Sequence, residues 1–202
     1  MDLKKHYQEL FKLHSDSPKS VQWSDENTQE NRFKILLDID PGMTSIIDVG
    51  CGLGHLYDYA KKNDFKGKYC GLDFVPEFID SCKSKYLNDP NATFIEFDIN
   101  TDSIPQGYDY ILLSGVFNNL MTNNWDFMTT SVNKMFDSCI KGVAFNALTT
   151  YVDYESEGLF YSNPLEIFDF CKRNISNKII LRHDYLVKPN SIPFEYSIYL
   201  FK

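Results

Sequence analysis

The segment at residues 46–54 constrains the fold of this chain more than any other feature. Its sequence, IIDVGCGLG, places a short apolar run directly before three glycines in five positions. Such a run is typical of a buried strand, and glycine lets the backbone turn sharply and approach a ligand that any Cβ would push away. We therefore expect a strand, a tight turn and a ligand-binding loop in succession.

Acidic residues follow the same strand and the two that come after it. Asp48 lies near the end of the first predicted strand, Asp73 ends the second, and Asp98 follows the third. The carboxyl ends of parallel strands meet at one sheet edge, which is where open α/β sheets bind ligands. Three carboxylates there would repel a pyrophosphate. They suit a ligand that combines an ammonium, a sulfonium, ribose hydroxyls and an adenine amino group, which describes S-adenosylmethionine.

Four motifs in a fixed order then carry a family resemblance. They are D-x-G-C-G-x-G at 48–54, G-L-D at 71–73, F-D-I at 97–99 and Y-D-Y-I-L-L-S-G at 108–115. In order and spacing they resemble the class I S-adenosylmethionine-dependent methyltransferases. The segment from Trp23 to Phe33 and the late R-H-D-Y sequence are similar to a group of small bacterial members whose substrate is unassigned.

The resemblance implies a set of cofactor-binding residues in the glycine loop and at the strand ends: Asp48, Gly50, Cys51, Gly52, Gly54, Asp73, Phe74, Asp98, Ile99, Ser114 and Gly115. The glycines would pass under the methionine part of the cofactor, Asp73 would hold the ribose, and Phe74 would lie against adenine. Asp98 would accept a hydrogen bond from the adenine amino group while the Ile99 N–H donates to the ring. Ser114 and Gly115 would lie beside the sulfonium. Taken alone, Asp73 could instead cap a helix, and Asp98 could be a loop acid.

The acceptor side is less determined. Enzymes that methylate amines resemble one another in an [ND]-P-P-[YF] motif after the fourth strand, and this chain has Val116 and Phe117 there. The absence of the [ND]-P-P-[YF] motif favours an oxygen acceptor, such as a sugar hydroxyl or a carboxylate. Asn118 is a candidate for positioning the acceptor, or a simple turn former.

A hydroxyl acceptor would also need a base to take its proton. The candidates for this catalytic role are His183, Asp153, Glu155 and Tyr151. Arg32, one helical turn from Gln29, could pair with the cofactor's methionine carboxylate or with an acidic acceptor. It could equally be a solvated helix residue.

Hydrophobic periodicity predicts an alternation of strands and helices. Strands are expected near 44–49, 68–73, 92–97, 108–114, 141–148, 178–185 and 195–201, and core helices near 53–63, 76–87, 125–138 and 163–171. This alternation predicts a Rossmann-like α/β fold: a seven-stranded, mostly parallel sheet with an antiparallel last strand and helices on both faces. Residues 1–40 would form an N-terminal helical cap, with Ser24 capping its second helix, and residues 41–202 the core of a single domain.

Charge and composition exclude several classes. The net charge is −8, and the segment from Tyr86 to Cys171 contains two basic residues and twelve acidic ones. A nucleic-acid partner, which needs a basic track, is therefore not expected. No apolar run approaches the ~20 residues of a membrane span, so we expect no membrane association and a cytoplasmic protein. The five cysteines lack a C-x-x-C pair, which predicts buried reduced thiols and no metal site.

These observations predict a methyltransferase with a small-molecule acceptor, acting as a monomer or homodimer. Two alternatives stay open from the sequence. An NAD-dependent oxidoreductase is disfavoured because His55 stands where the dinucleotide fingerprint requires glycine. A regulatory or scaffold subunit that binds S-adenosylmethionine without catalysis would keep the same loop and acids.

Overall fold

A computed structural model describes residues 3–23 and 25–202. The chain forms a mixed sheet with helices on both faces. The helices are α1 Leu3–His14, α2 Glu26–Leu37, α3 His55–Lys62, α4 Pro76–Lys85, α5 Asn124–Ser138 and α6 Pro164–Asn174. The strands are β1 Ser45–Val49, β2 Lys68–Asp73, β3 Ala92–Glu96, β4 Tyr110–Leu113, β5 Gly142–Thr149, β6 Tyr161–Ser162, β7 Lys178–Arg182 and β8 Glu195–Phe201.

The sheet order is β3-β2-β1-β4-β5-β8-β7. The neighbours among β1 to β5 pair in parallel, whereas β8 runs antiparallel to both β5 and β7. This confirms the predicted Rossmann-like architecture and its antiparallel last strand. The strand order reverses between β1 and β4, which is where ligands bind in sheets of this type.

One strand escaped the sequence analysis. The two residues of β6 pair in parallel with Leu148 and Thr149, at the end of β5 and beyond the end of β4. Two residues are too short to produce an alternating pattern, so no periodicity could reveal them. Their effect is local, because β6 extends the sheet at the edge where the functional loops lie.

The two sheet faces are packed by different helices because successive strand residues point to opposite sides. On one face, Ile47 and Ile111 pack with α5 and α6. On the other, Ile46 and Leu112 pack with α2, α3 and α4. Helices on both faces are thus confirmed, and α2 belongs to one of these layers.

The predicted N-terminal cap therefore divides into two parts. The first part, residues 3–23, contains α1 and a 3₁₀ turn at Pro18–Val21, and it packs through Tyr7, Phe11 and Val21 onto Phe78 and its neighbours. The second part, α2, lies on the sheet. Ser24, the expected cap of α2, lies outside the described residues, and the Asp25 side chain accepts the Thr28 N–H at 2.8 Å instead.

The predicted start of α6 is confirmed. The side chain of Asn163 accepts the Leu165 N–H at 2.9 Å, and Pro164 occupies the first helical position, where its missing N–H costs nothing. All five cysteines are buried, as expected. No helix in the described part of the chain is long and apolar enough to cross a membrane.

Candidate functional site

A cavity of about 1260 Å³ opens at the carboxyl ends of β1, β2 and β4. It brings together most of the residues singled out from the sequence: Arg32, Asp48, Gly50, Cys51, Gly52, Asp73, Phe74, Asp98, Ile99, Ser114, Gly115 and Asn118. The three aspartates thus share one cleft, which was the central expectation of the sequence analysis. Gly54, His183 and Asp153 do not line it.

The glycine loop is held against β2. The N–H groups of Gly50 and Cys51 both donate to the Leu72 carbonyl, at 2.8 and 3.0 Å. Gly50 and Gly52 have φ of +74° and +53°, in the left-handed region. A Cβ at Gly50 would lie 2.3 Å from the Val116 side chain, so the glycine also makes room for the loop after β4.

Gly54 is the one glycine of the loop that does not line the cavity. It has φ of +74° and begins α3, and a Cβ there would lie 3.0 Å from the Tyr86 ring. The Tyr86 hydroxyl donates to the Gly54 carbonyl at 3.1 Å. Gly54 therefore fits the loop to α3 and α4, and its place under the cofactor stays a prediction.

Asp73 ties the glycine loop to the end of β2. One carboxylate oxygen accepts the Gly52 N–H at 2.8 Å and the other accepts the Val75 N–H at 3.0 Å. Burial raises the pKa of Asp73 to about 6, against the lowering effect of these backbone hydrogen bonds. The hydrogen bond from the Val75 N–H, just before α4 begins at Pro76, resembles the helix-capping role that the sequence analysis left open for Asp73. Each carboxylate oxygen has a second lone pair, so the group can still accept hydroxyls of a ligand.

Asp48 is buried one strand away, and the Tyr69 hydroxyl donates to it at 2.7 Å. Burial raises the pKa of Asp48 to about 7, the Tyr69 hydrogen bond lowers it, and the charge of Asp73 raises it further. Two acids with raised pKa values at one cavity wall are typical of a functional site. A bound cation would favour their ionised forms.

Asp98 follows β3 in an exposed turn. Its side chain accepts both the backbone N–H and the side-chain amide of Asn100, each at 2.9 Å. The Lys134 ammonium donates to the neighbouring Ile99 carbonyl at 2.6 Å. Asp98 is therefore a loop acid that also lines the cavity, and its hydrogen bond with adenine stays a prediction.

The N-terminal segment, residues 3–23, supplies a wall of the cavity, as expected of an N-terminal cap, and Tyr7 is the residue of this wall that the sequence analysis did not single out. The Tyr7 ring meets Phe74 edge to face, with centroids 6.1 Å apart. The Tyr7 hydroxyl accepts the Asn119 side-chain amide at 2.9 Å and donates to Gln22 at 3.0 Å. Burial raises the pKa of Tyr7 to about 12. In the sequence Tyr7 appears only as one member of an apolar helical stripe, so its individual contacts could not be predicted.

Unpaired polar atoms mark the end of β4. Ser114 Oγ and Asn118 Oδ1 are buried, and neither has a hydrogen-bond partner among residues 3–23 and 25–202. Leaving such groups unpaired costs about 1–3 kcal/mol each, which a ligand with polar groups can recover. The cavity thus has acids at one side and unsatisfied hydrogen-bonding groups where the fourth strand ends.

Arg32 also departs from expectation. It is 4% exposed, and its Nε donates to both oxygens of Glu195, at 2.8 and 2.9 Å. Its guanidinium lies 4.0 Å from the centre of the Trp23 ring. Arg32 is therefore not a solvated helix residue, and its charge is compensated by Glu195, a fully buried acid. A charged residue opening an otherwise apolar strand was the only sequence signal for Glu195.

The expected bases lie elsewhere. His183 Nε2 is 3.0 Å from the Pro193 carbonyl oxygen, and its ring centre lies 6.0 Å from that of Tyr151, which is exposed. His183 follows β7, three strand spacings from β4, or roughly 14 Å across the sheet. Asp153 is exposed and does not line the cavity, although its neighbours Val152 and Tyr154 do. Tyr151 and Glu155 are also absent from the wall.

Known proteins share this architecture. Residues 47–137 match the family model described as a methyltransferase domain. A protein of Mycobacterium tuberculosis, Rv1506c, classed by name with the methyltransferases, is 34% identical over 147 residues, covering 70% of this chain and 86% of its own.

Two solved structures have the same fold at low identity. Magnesium protoporphyrin IX methyltransferase from Synechocystis PCC 6803 with bound S-adenosylmethionine gives a TM-score of 0.66 at 12% identity, covering 100% of this chain and 98% of its own. The S-adenosylmethionine-dependent methyltransferase SibL gives 0.70 at 14% identity and covers 97% of this chain, which spans 61% of SibL's length. The match to the family model and the 34% identical relative show that this chain belongs to the class I S-adenosylmethionine-dependent methyltransferases.

Proposed function

We propose that this protein transfers the methyl group of S-adenosylmethionine to an oxygen of a small polar acceptor. The observation that carries the proposal is the cavity that joins three aspartates to the unpaired Ser114 and Asn118. Its volume of about 1260 Å³ exceeds the roughly 300–1,000 Å³ of an ordinary ligand pocket. That leaves room for an acceptor beside the donor.

The chemistry of the cavity wall fits the donor. Asp48, Gly50, Cys51 and Gly52 would hold its methionine part, and Asp73 would accept the ribose hydroxyls. Phe74, Asp98 and Ile99 would surround the adenine, and Ser114 and Gly115 would lie at the sulfur. The donor supplies a carbon already activated by its sulfonium. The task left to the protein is to hold an acceptor oxygen in line at near-attack distance.

Asn118 is our candidate for that positioning task. Its Oδ1 needs a hydrogen-bond donor, and an acceptor hydroxyl carries one. A carboxylate acceptor, which has no proton to donate, would leave this oxygen unpaired. Among the two oxygen classes expected from sequence, Asn118 therefore favours a hydroxyl.

The cavity wall formed by Trp23, Gln29, Arg32, Phe194 and Glu195 supports the proposal that the acceptor is uncharged. There Arg32 and Glu195 neutralise each other's charge, Gln29 contributes an amide, and Trp23 and Phe194 contribute aromatic rings. A small polar molecule, such as a sugar, fits this combination of neutral hydrogen bonding and aromatic surface.

The acidic character of residues 86–171 supports the proposal that the protein does not bind nucleic acid. We also propose that the protein works as a monomer or homodimer in the cytoplasm.

Two experiments test the proposal. Titration calorimetry should show binding of S-adenosylmethionine and S-adenosylhomocysteine but not of NAD. Incubation with methyl-labelled S-adenosylmethionine and a metabolite extract should then put label into a small-molecule product. Mild base separates the acceptor classes, because a methyl ester releases volatile methanol and a methyl ether keeps its label.

The outcomes separate the rival functions. Binding of NAD alone would favour an oxidoreductase. Donor binding without any labelled product would indicate a regulatory subunit, and label in the protein or nucleic-acid fraction would contradict a small-molecule acceptor. Release of the label by mild base would show that the methylated group is a carboxylate and not a hydroxyl.

A further inference from the structure

A chain of buried polar contacts connects the end of β4 to the N-terminal part of the protein. The Gly115 N–H donates to Asn146 Oδ1 at 2.8 Å. The other end of the same side chain, Asn146 Nδ2, donates to Glu195 at 3.2 Å. Glu195 is paired with Arg32, whose Nη1 also donates to the Thr28 carbonyl at 2.8 Å. We call these contacts the Asn146 relay.

Trp23 contacts both ends of the Asn146 relay, at Arg32 and at Gly115. One side of its ring lies against Arg32, and a Cβ at Gly115 would come within 2.5 Å of the ring. The peptide between Ser114 and Gly115 is therefore fixed by a hydrogen bond from Asn146 and by the packing of Trp23. Gly115 has φ of +74°, so only glycine fits this place without strain.

The hydrogen bond to Asn146 decides which way this peptide faces. β4 lies between β5 and β1, and Asn146 is on β5. A trans peptide points its N–H and its C=O in opposite directions. Because the Gly115 N–H points to β5, the Ser114 carbonyl points to the β1 side, where the glycine loop begins.

That carbonyl is available for a ligand. It accepts no hydrogen bond from residues 3–23 or 25–202. A carbonyl oxygen carries partial negative charge, and the donor proposed above carries a sulfonium and an ammonium. The orientation of one peptide therefore places an acceptor dipole where a cationic ligand would need it.

We propose that Asn146 is a positioning residue for methyl transfer, which holds the Ser114–Gly115 peptide so that its carbonyl faces the donor. This inference rests on the proposed function. A purely structural role is a poor explanation of the relay, because apolar side chains fill a buried strand position at least as favourably as a buried polar network does. Asn146 is 1% exposed and lies beside the cavity wall.

The test compares Asn146→Ala with a matched control. Ser197 is the register partner of Asn146 on β8, is fully buried, and makes a side-chain hydrogen bond to Tyr185 at 2.8 Å. Ser197→Ala therefore removes a comparable buried hydrogen bond without touching Gly115. Calorimetry should show S-adenosylmethionine binding about tenfold weaker in Asn146→Ala and nearly unchanged in Ser197→Ala, at similar losses in Tm.

The charge of the ligand gives a readout that general destabilisation would not move. S-adenosylhomocysteine lacks the positive sulfur, so Asn146→Ala should weaken its binding less than that of S-adenosylmethionine. The preference of the protein between the two ligands should shift towards S-adenosylhomocysteine. Equal losses for both ligands, or losses matched by Ser197→Ala, would overturn the inference.

Asn146→Asp supplies a second test if the alanine variant does not fold. It keeps an oxygen for Gly115 and places a second carboxylate against Glu195, with Arg32 and the Tyr185 hydroxyl as the other ionisable groups nearby. One carboxyl of such a pair takes up a proton with a raised pKa, and its protonated form reproduces both hydrogen bonds of Asn146. S-adenosylmethionine binding should approach the wild-type value at low pH and weaken as pH rises.

Wild-type binding separates the two proposals. If the wild type binds neither ligand, the proposed function fails and the inference fails with it. If the wild type binds and the Asn146→Asp variant shows the wild-type pH dependence, the inference fails alone.

Discussion

Asp48 shows how the fold changes the chemistry of a residue that the sequence identifies by type. In the chain it is an acid before a glycine loop, with an ordinary pKa near 3.9. In the protein its side chain is 2% exposed, and burial raises its pKa to about 7. Between these values the folded protein binds a proton that the unfolded chain has lost.

Stability should therefore fall as pH rises from about 4 to 7. Because the folded-state pKa of Asp48 is the higher one, its stabilising contribution is complete below about pH 4 and is lost through pH 7. Asp48→Asn stays neutral and keeps an oxygen for the Tyr69 hydroxyl. Urea unfolding without ligand should show a smaller decline from pH 5 to 8 in the variant, by up to about 1.4 kcal/mol per pH unit.

Asp98→Asn is the control for this prediction. It removes an exposed acid from the same cavity and leaves the buried Asp48 carboxyl in place. Its pH dependence should follow the wild type. Parallel curves for wild type and Asp48→Asn would contradict the raised pKa.

At the scale of elements, α2 is joined to β8 by a buried ion pair. Arg32 and Glu195 lie 163 positions apart in sequence, and their side chains are 5% and 0% exposed. Glu195→Ala should cost about 3–5 kcal/mol in the free energy of unfolding, because the Arg32 charge is left buried without its partner. The double variant Arg32→Met/Glu195→Leu should recover most of this loss, since it removes both charges.

An exposed ion pair is the matched comparison. Arg173 and Asp169 pair within α6, and their side chains are 73% and 59% exposed. Asp169→Ala should leave the urea midpoint of unfolding unchanged, because water replaces the lost contact. If Glu195→Ala were as stable as Asp169→Ala, the ion pair would have no structural importance.

At the scale of the whole molecule, the N-terminal segment lies over the cavity, and its apolar contacts with the core are made mainly by Tyr7, Phe11 and Val21. Every residue of α1 keeps part of its surface exposed, although the Tyr7 hydroxyl is buried and Tyr7 and Trp23 line the cavity. Segments held by few apolar contacts open locally at low cost in free energy. A ligand that fills the cavity should hold this segment in place.

Limited trypsin digestion checks this expectation. S-adenosylhomocysteine should slow cleavage after Lys12 and Lys19, which lie in the N-terminal segment and are exposed. Cleavage after Lys172 and Arg173, at the end of α6, should not change. Equal protection of both regions would instead indicate a general stabilisation of the fold by mass action.

Local sequence was sufficient for most elements. The apolar runs of β1 and β5, the stripe of α5 and the Asn163–Pro164 start of α6 are set by residues close together in the chain, so periodicity and capping predict them. The order of the motifs likewise predicted a parallel sheet that brings Asp48, Asp73 and Asp98 to one cleft. These results depend only on rules that act over a few residues or on the regular geometry of a sheet.

Tertiary structure alone decided which side chains meet. The packing of distant segments decides the Arg32–Glu195 pair, the contacts of Tyr7 and the absence of His183 from the cavity wall. At Gly54 a φ above zero serves the Tyr86 contact as well as it would serve a ligand, so the sequence does not distinguish the two roles. Contacts between side chains that are far apart in sequence depend on how the strands are ordered and on which helices cover them. The spacing of neighbouring residues does not determine either.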